Sequence, residues 1–222
     1  MTHNGGVLIG AYDDRALVGI AFAFYAHREG RPILWSHMTG VLPGYQGQGV
    51  GEGLKRAQRD WALEHGIGEI RWTFDPLQRG NANFNLVRLG AVADAYHVNL
   101  YGTMNDAINA GLPSDRVEAC WHLRNASQET DITALASAHV VLAHDTQSRP
   151  IVRALGDAKC ILAEIPRNLP EMRIESPEFL LDWRLAVRKV LLDAFARGYV
   201  ATSFVKVPDG DAEAYLLKRL RD

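Results

Sequence analysis

The sequence predicts a mixed α/β (α+β) fold with a mostly antiparallel sheet. Three apolar runs near the N-terminus are separated only by short polar turns, which is typical of an antiparallel meander. After them the apolar pattern changes to a helical period, and strand-like and helix-like segments then alternate along the chain. With 222 residues, 47% of them hydrophobic, the chain is long enough to bury one large core or two small ones.

The meander is delimited by its turn residues. Asp13 and Asp14 separate the first two apolar runs, and the polar segment 28–31 separates the second run from the third. The strands are therefore predicted at Val7–Tyr12, Ala16–Tyr25 and Ile33–Leu42.

A helix is predicted directly after the meander. Apolar residues recur at steps of four, three and four, at Val50, Leu54, Ala57 and Trp61. The other faces carry the polar residues Lys55, Arg56, Arg59, Asp60 and Glu64, which we interpret as a solvated surface. Gly66 is the expected C-cap.

The remaining chain alternates between strands and helices. A strand at Ile67–Phe74, a short helix at Asn81–Leu89 and a strand at Ala91–Tyr101 follow the first helix. Ser176 as N-cap and Pro177 at the first helical position predict a long helix that reaches Arg197. Further strands are predicted at Val117–Leu123, Val140–Leu142, Ala158–Ile165, Tyr199–Val207 and Ala214–Leu217, with a turn at 208–210 before the last. A polar, glycine-containing segment at 102–114 suggests two parts, residues 1–112 and 113–222.

Composition excludes several classes of protein. A net charge of −2 argues against a protein that coats nucleic acid. Cys120 and Cys160 are far apart in apolar stretches, so we expect free thiols and not a disulfide framework or a CxxC pair. The absence of a signal-like N-terminus and of an apolar run of about 20 residues leads us to expect a cytoplasmic protein without membrane contact. His122, His139 and His144 lack metal-ligand spacing along the chain, so no metal site is expected.

The segment from Gly40 to Gly51 carries the most chemical information. A strand ends, a glycine-rich loop follows and an amphipathic helix begins, and this arrangement presents backbone N–H groups to an anion such as pyrophosphate. No register of its glycines gives GxGxxG, and the first lysine of the helix, Lys55, does not follow a glycine as a Walker loop requires. A purely structural turn is the alternative, although glycines within the helix cost about 1 kcal/mol each.

Gln46, Gly49 and Gly51 form a Gln-x-x-Gly-x-Gly pattern after Val41-x-Pro43. This pattern resembles the coenzyme A pyrophosphate loop of the GCN5-related N-acetyltransferase (GNAT) superfamily. The segments 81–84 and 88–91 resemble the second motif of the family, so the resemblance covers about residues 5–102. It implies a GNAT-like sheet flanked by helices, with acetyl-CoA as co-substrate, an added C-terminal α/β half, and the family's first strand and two helices apparently missing. The coenzyme-binding residues that it implies are Thr39, Gly40, Val41, Gln46, Gly47, Gln48, Gly49, Val50 and Gly51.

Acetyl transfer to an amine requires a base for the amine and a polarised thioester, and the leaving thiolate takes up a proton. His37, on the third strand, is the first candidate base, because its ordinary pKa suits neutral pH and it is expected to share the strand face of Thr39 and Val41. Asp75 is the second candidate base, with a cap of the turn at Pro76 as its alternative role. Tyr101 is a candidate acid, as is Tyr96. Leu86 occupies the position at which the family often has a tyrosine that acts as the general acid for the leaving thiolate.

The sequence therefore favours an acyl-CoA-dependent N-acyltransferase that moves acetyl to a primary amine by direct attack in a ternary complex. The amine could belong to a small molecule or a peptide, and a homodimer is possible. One alternative is a non-catalytic GNAT-like module for coenzyme A binding or dimerisation. Another is an unrelated phosphate-binding α/β enzyme.

Overall fold

A computed structural model of the chain describes residues 5–102, 112–124, 135–207 and 212–219. The chain forms two compact units, Met1–Trp72 with Cys120–Ala126 and Thr73–Ala119 with Ser127–Asp222. Both units contain strands and helices, and most of the strand pairs are antiparallel, so the predicted mixed fold is confirmed. Among the described residues no helix is both long and apolar enough to cross a membrane.

The first unit is built on the predicted meander. Its strands β1 (Gly6–Asp13), β2 (Ala16–Arg28) and β3 (Arg31–Val41) pair antiparallel in chain order. The helix α1 (Val50–Glu64) follows, and β4 (Glu69–Phe74) then pairs parallel to β3. Gly66, directly beyond the end of α1, has a φ of +74° and closes the helix as expected.

Helix α1 covers one face of this meander. It packs across β1, β2 and β3, where Leu54 and Ala62 of the helix and Ala21 and Ala23 of β2 are buried. The small residues on β2 let the helix approach the sheet closely. The β2 residues that alternate with these alanines, such as Phe24, lie on the other face of the meander and are exposed. The two faces of the meander are therefore chemically different.

The second unit contains the remaining elements. After a helical turn, α2 (Arg79–Ala82), the chain continues as a π-helical turn at Asn83–Arg88. The other elements are β5 (Val92–His97), β6 (Arg116–His122), β7 (His139–His144), β8 (Pro150–Val152), β9 (Cys160–Ile165), α3 (Leu169–Glu175), α4 (Pro177–Ala196), β10 (Tyr199–Lys206) and β11 (Glu213–Arg219). The last residues of β6, from Cys120 on, belong to the first unit. The long helix α4 packs on β5, β7, β8, β9 and β10 and buries Leu180, Trp183, Val187 and Leu191. The strand order is β6-β5-β10-β11-β9-β7-β8.

Several boundaries differ from the predicted ones. The strand predicted to reach Tyr101 ends at His97, because the backbone then turns with a φ of 48° at Asn99 and the amides of Leu100 and Tyr101 bond to Ser114. The strand β8 and the helix α3 were not predicted, since three and seven residues are too few to show a period. The turn predicted at 208–210 lies outside the described residues.

Candidate functional site

The glycine-rich loop joins β3 to α1 through one 3-10 turn at Pro43–Tyr45. Two glutamine side chains hold the loop by bonding to its own backbone. The Nε2 amide of Gln46 donates to the Val41 carbonyl oxygen at 3.0 Å, and that of Gln48 donates to the Gly44 carbonyl oxygen at 2.8 Å. Both side chains therefore fix the shape of the loop, and the backbone amides are the groups left to face a ligand.

Two glycines of the loop adopt left-handed backbone conformations. The φ of Gly47 is +75° and that of Gly49, the N-cap of α1, is +86°. A Cβ placed on either residue would meet no heavy atom within 4 Å, so the surface in front of them is open. Glycine is favoured here by its backbone conformation, and it also keeps this surface clear for an approaching group.

The N-terminus of α1 opens onto the same surface. The first hydrogen bond of the helix runs from the Gly53 amide to the Gly49 carbonyl oxygen at 2.9 Å, and no side chain caps the helix. The amides of Val50 and Gly51 consequently have no partner within the helix. Together with the positive end of the helix dipole they form a site suited to an anion, above all to phosphate or pyrophosphate.

The edge of β3 next to the loop is open on the side of β4. The parallel register joins only Leu34 to Ile70 and Trp35 to Arg71, although β3 continues to Val41. Within the described residues, the last part of β3, including Thr39 and Gly40, is not paired with any residue of β4. An extended amide-bearing ligand can bond to such an edge as an additional strand would.

His37 lies on the opposite strand face from Thr39, although the sequence predicted that the two residues share a face. A bulge shifts the register between β2 and β3, so that Phe22 pairs with Met38 and Ala23 with Ser36. The exposed imidazole lies against the rings of Phe22 and Phe24, at centroid distances of 6.2 and 6.0 Å. His37 therefore lies on the face of the meander that α1 leaves uncovered. A single extra residue in a strand is not visible in an alternating pattern.

Asp75 belongs to the second unit and forms an ion pair with Arg184. Its carboxylate is 7% exposed and accepts two hydrogen bonds from the Arg184 guanidinium, at 2.8 and 2.9 Å. The same carboxylate caps the turn at Pro76 by accepting the Leu77 amide at 2.9 Å. Burial alone lowers the pKa of Arg184, but the bonds to Asp75 outweigh it and the pKa is raised. This geometry favours the capping role of Asp75 over the role of a base.

The two candidate tyrosines of the second unit differ in access. Tyr101 lies in a turn, 52% exposed, with its hydroxyl 3.0 Å from Thr73 Oγ1. The Tyr96 hydroxyl donates to Asp115 at 2.7 Å, and burial together with that carboxylate raises the pKa of Tyr96. Tyr101 is therefore the more exposed of the two, while the half-buried Tyr96 already uses its hydroxyl to bond to Asp115.

Lys55 was expected on a solvated face and is instead 4% exposed. Its ammonium donates to Ser36 Oγ at 2.7 Å and lies 3.8 Å from the centre of the Trp72 ring. Burial lowers the pKa of Lys55 to about 7. Ser36 in turn donates to Gln58 Oε1 at 2.8 Å, so that the three polar side chains form one buried cluster. Helical periodicity could not reveal it, since the cluster depends on which strand residues face α1.

Comparison with known proteins gives one family match. Residues 1–90 match the model of the Acetyltransferase (GNAT) family. No curated protein matches the sequence. The described loop and β3 edge lie within the matched residues.

Several solved structures resemble part of the chain. Arabidopsis thaliana Naa50 in complex with a bisubstrate analogue is 21% identical, with a TM-score of 0.43 over 51% of this chain and 70% of that chain. A GNAT family acetyltransferase from Elizabethkingia anophelis with acetyl-CoA bound is 14% identical, with a TM-score of 0.45 over 53% and 76%. Nourseothricin acetyltransferase is 21% identical, with a TM-score of 0.45 over 55% and 67%. The family match itself covers residues 1–90 of the 222.

Proposed function

We propose that residues 1–90, which match the GNAT acetyltransferase family model, form an acetyltransferase domain, and that the protein transfers acetyl from acetyl-CoA to an amine. The observation that supports the proposal most directly is the loop before α1. Gly47 and Gly49 keep open the surface onto which the helix N-terminus faces. The positive end of the helix dipole complements the negative charge of the coenzyme A diphosphate, and the backbone amides supply the hydrogen-bond donors that its oxygens accept.

The coenzyme is proposed to bind in two segments. Its pyrophosphate accepts hydrogen bonds from the amides of the loop residues 47–51. Its pantetheine arm then runs along the open edge of β3 and bonds to the backbone of Thr39, Gly40 and Val41. An edge amide directed at the thioester oxygen would stabilise the negative charge that develops there during attack.

His37 is the proposed general base. Because α1 covers one face of the meander, the amine must approach from the other face, which is where the imidazole is exposed. The imidazole takes a proton from the attacking ammonium or amine, directly or through one water molecule. The ion pair between Asp75 and Arg184 makes the alternative base less suitable.

The proposed reaction is a single displacement. The amine nitrogen bonds to the acetyl carbon, the carbon–sulfur bond breaks, and the products are the acetamide and free coenzyme A. The leaving thiolate takes up a proton from the solvent, and the role of Tyr101 as its acid stays a prediction from the sequence. Neither Cys120 nor Cys160 lies on the loop or on β3, so no acyl-cysteine intermediate is invoked.

The test measures thiol release from acetyl-CoA with a panel of amines that includes small alkylamines, amino sugars and short peptides with free N-termini. We expect thiol release with at least one amine above the rate without amine, and the mass of the acetylated product identifies the acceptor. Calorimetry with coenzyme A is run in parallel. Binding without amine-dependent release across the panel would contradict the enzymatic proposal and support the non-catalytic module. Absence of binding would contradict both.

A further inference from the structure

Three potential metal ligands of the first unit lie close together: Glu69 in β4, and Cys120 and His122 in the part of β6 that belongs to this unit. Glu69 is the first residue of β4, and Cys120 and His122 lie two residues apart near the end of β6. Residues at this spacing in a strand project from the same face. The strands β4 and β6 are neighbours, and the Leu123 amide donates to the Gly68 carbonyl oxygen at 3.0 Å beside the cluster.

The donor atoms of these side chains lie close to metal-binding separations. Each residue offers one donor atom such that all three lie within 4.8 Å of one another. His122 Nδ1 is 3.9 Å from the Cys120 sulfur and 3.7 Å from Glu69 Oε2, so one ring nitrogen lies near both other donors. Bonds of about 2.3 Å to sulfur and about 2.0 Å to nitrogen at tetrahedral angles separate the two donors by about 3.5 Å. Small side-chain adjustments would therefore suffice to enclose an ion.

The surroundings favour an ion over a nucleophilic thiol. Cys120 is fully buried, so its sulfur cannot reach a substrate, whereas the His122 side chain is 49% exposed and gives an ion access from solvent. The Arg71 guanidinium binds the other oxygen of Glu69 and holds that carboxylate in place. A partner of this kind, outside the ligands themselves, is what orients a carboxylate for metal binding.

We propose that Glu69, Cys120 and His122 bind one divalent transition-metal ion, with Zn²⁺ as the preferred ion. A thiolate, an imidazole and a carboxylate form a donor set that suits zinc and disfavours Mg²⁺ or Ca²⁺, which prefer oxygen ligands alone. The thiol loses its proton to the solvent when the ion binds, so that the ion's charge is balanced by Cys120 and Glu69. A water molecule completes the fourth position.

The proposed ion has no part in the acetyl transfer. Glu69 is at the beginning of β4, beside the Leu34–Ile70 register pair, while β3 runs on in the same direction from Leu34 to the loop. At about 3.3 Å per residue, the seven residues from Leu34 to Val41 separate the metal ligands from the loop by more than about 20 Å. The ion is therefore expected to stabilise the β4–β6 pair and to leave coenzyme binding unchanged.

The test uses the full-length protein, freed of metal with a chelator and titrated with Zn²⁺ and, separately, with Co²⁺. We expect one equivalent of each ion to bind, a higher Tm with zinc, and a sulfur-to-cobalt charge-transfer band in the near ultraviolet. Cys120→Ala should abolish that band, and the matched control Cys160→Ala should keep it. Failure to bind one equivalent, or a band that persists in Cys120→Ala, would overturn the proposal.

A second pair of variants covers the case in which Cys120→Ala does not fold. The imidazole of His122 is half exposed, so His122→Gln is expected to fold, and its matched control is His139→Gln on another strand end. Loss of a group that only hydrogen-bonds to a metal ligand weakens metal binding by roughly 10–100-fold. His122→Gln removes a ligand itself, so it should weaken zinc binding by more than that. Equal zinc affinity in the two glutamine variants would overturn the assignment of His122.

Discussion

Replacement of Gly49 by valine separates the fold of the loop from its binding function. Gly49 has a φ of +86°, and a Cβ there meets no heavy atom within 4 Å, so the cost to the fold is backbone strain without a clash. That strain is about 1–2 kcal/mol. For a chain of this length it lowers Tm by roughly 2–8 °C.

The effect on coenzyme binding should be much larger. The valine methyl groups occupy the space through which a phosphate must approach the amides at the N-terminus of α1. Hydrogen bonds to a charged group contribute about 1.5–3 kcal/mol each, and loss of two removes about 3–6 kcal/mol. This corresponds to a Kd for coenzyme A that is roughly 10²–10⁴ times higher, as measured by calorimetry.

Gly66→Val is the matched control. Gly66 lies at the other end of α1 with a φ of +74° and no heavy atom within 4 Å of a Cβ, so it carries the same strain away from the loop. We expect the two variants to lose similar stability, while only Gly49→Val loses affinity. If both variants bind coenzyme A equally well, the loop is not the phosphate site and the reasoning is refuted.

Three further predictions concern buried or catalytic groups. His37→Ala should lower kcat by about 10²–10⁴-fold without changing the Kd for acetyl-CoA, and an unchanged kcat would remove His37 from the proposed mechanism. Asp75→Asn should reduce the free energy of unfolding in urea by about 3–5 kcal/mol, because it leaves Arg184 buried without its counter-charge, and Arg184→Met added to it should restore part of the loss. Burial lowers the pKa of Lys55 to about 7 from its ordinary 10.5, so between these two pH values the unfolded chain binds more protons than the folded chain. The free energy of unfolding of the wild type should therefore rise with pH in this range, by up to about 1.4 kcal/mol per pH unit. Lys55→Met should lack this contribution, and an identical pH dependence in both proteins would contradict the assignment.

The local pattern of the sequence was sufficient for the elements of the first unit. The turn residues Asp13–Asp14 and 28–31 delimit strands that form where they were predicted, and the helix begins at Val50 as its period indicated. These features depend on neighbours within a few residues, which a sequence displays directly. The glycine pattern likewise predicted an open loop, because left-handed backbone at Gly47 and Gly49 strongly favours glycine.

The surroundings of the polar side chains could not be predicted from the local sequence pattern. Asp75 was a candidate base by its place after a strand, but its partner Arg184 lies 109 residues further along the chain. Lys55 was placed on a solvated face, because helical periodicity does not show that Ser36 and Trp72 face it across the sheet. Glu69 and His122 were likewise too distant in sequence for ligand spacing along the chain to connect them.

The sequence by itself thus determined the strands and the helix of the first unit and the backbone conformation of the glycine-rich loop, since both depend on local sterics and on short-range apolar periods. Only the tertiary structure decided which polar side chains are buried together, which face of β3 carries His37, and which charged groups hold each other in place. Strand pairing joins residues that are far apart in the chain, and a one-residue bulge is enough to turn a side chain to the opposite face. Chemistry at a site depends on those pairings, and for that reason the loop was recognisable from the sequence while the surroundings of the candidate catalytic residues were not.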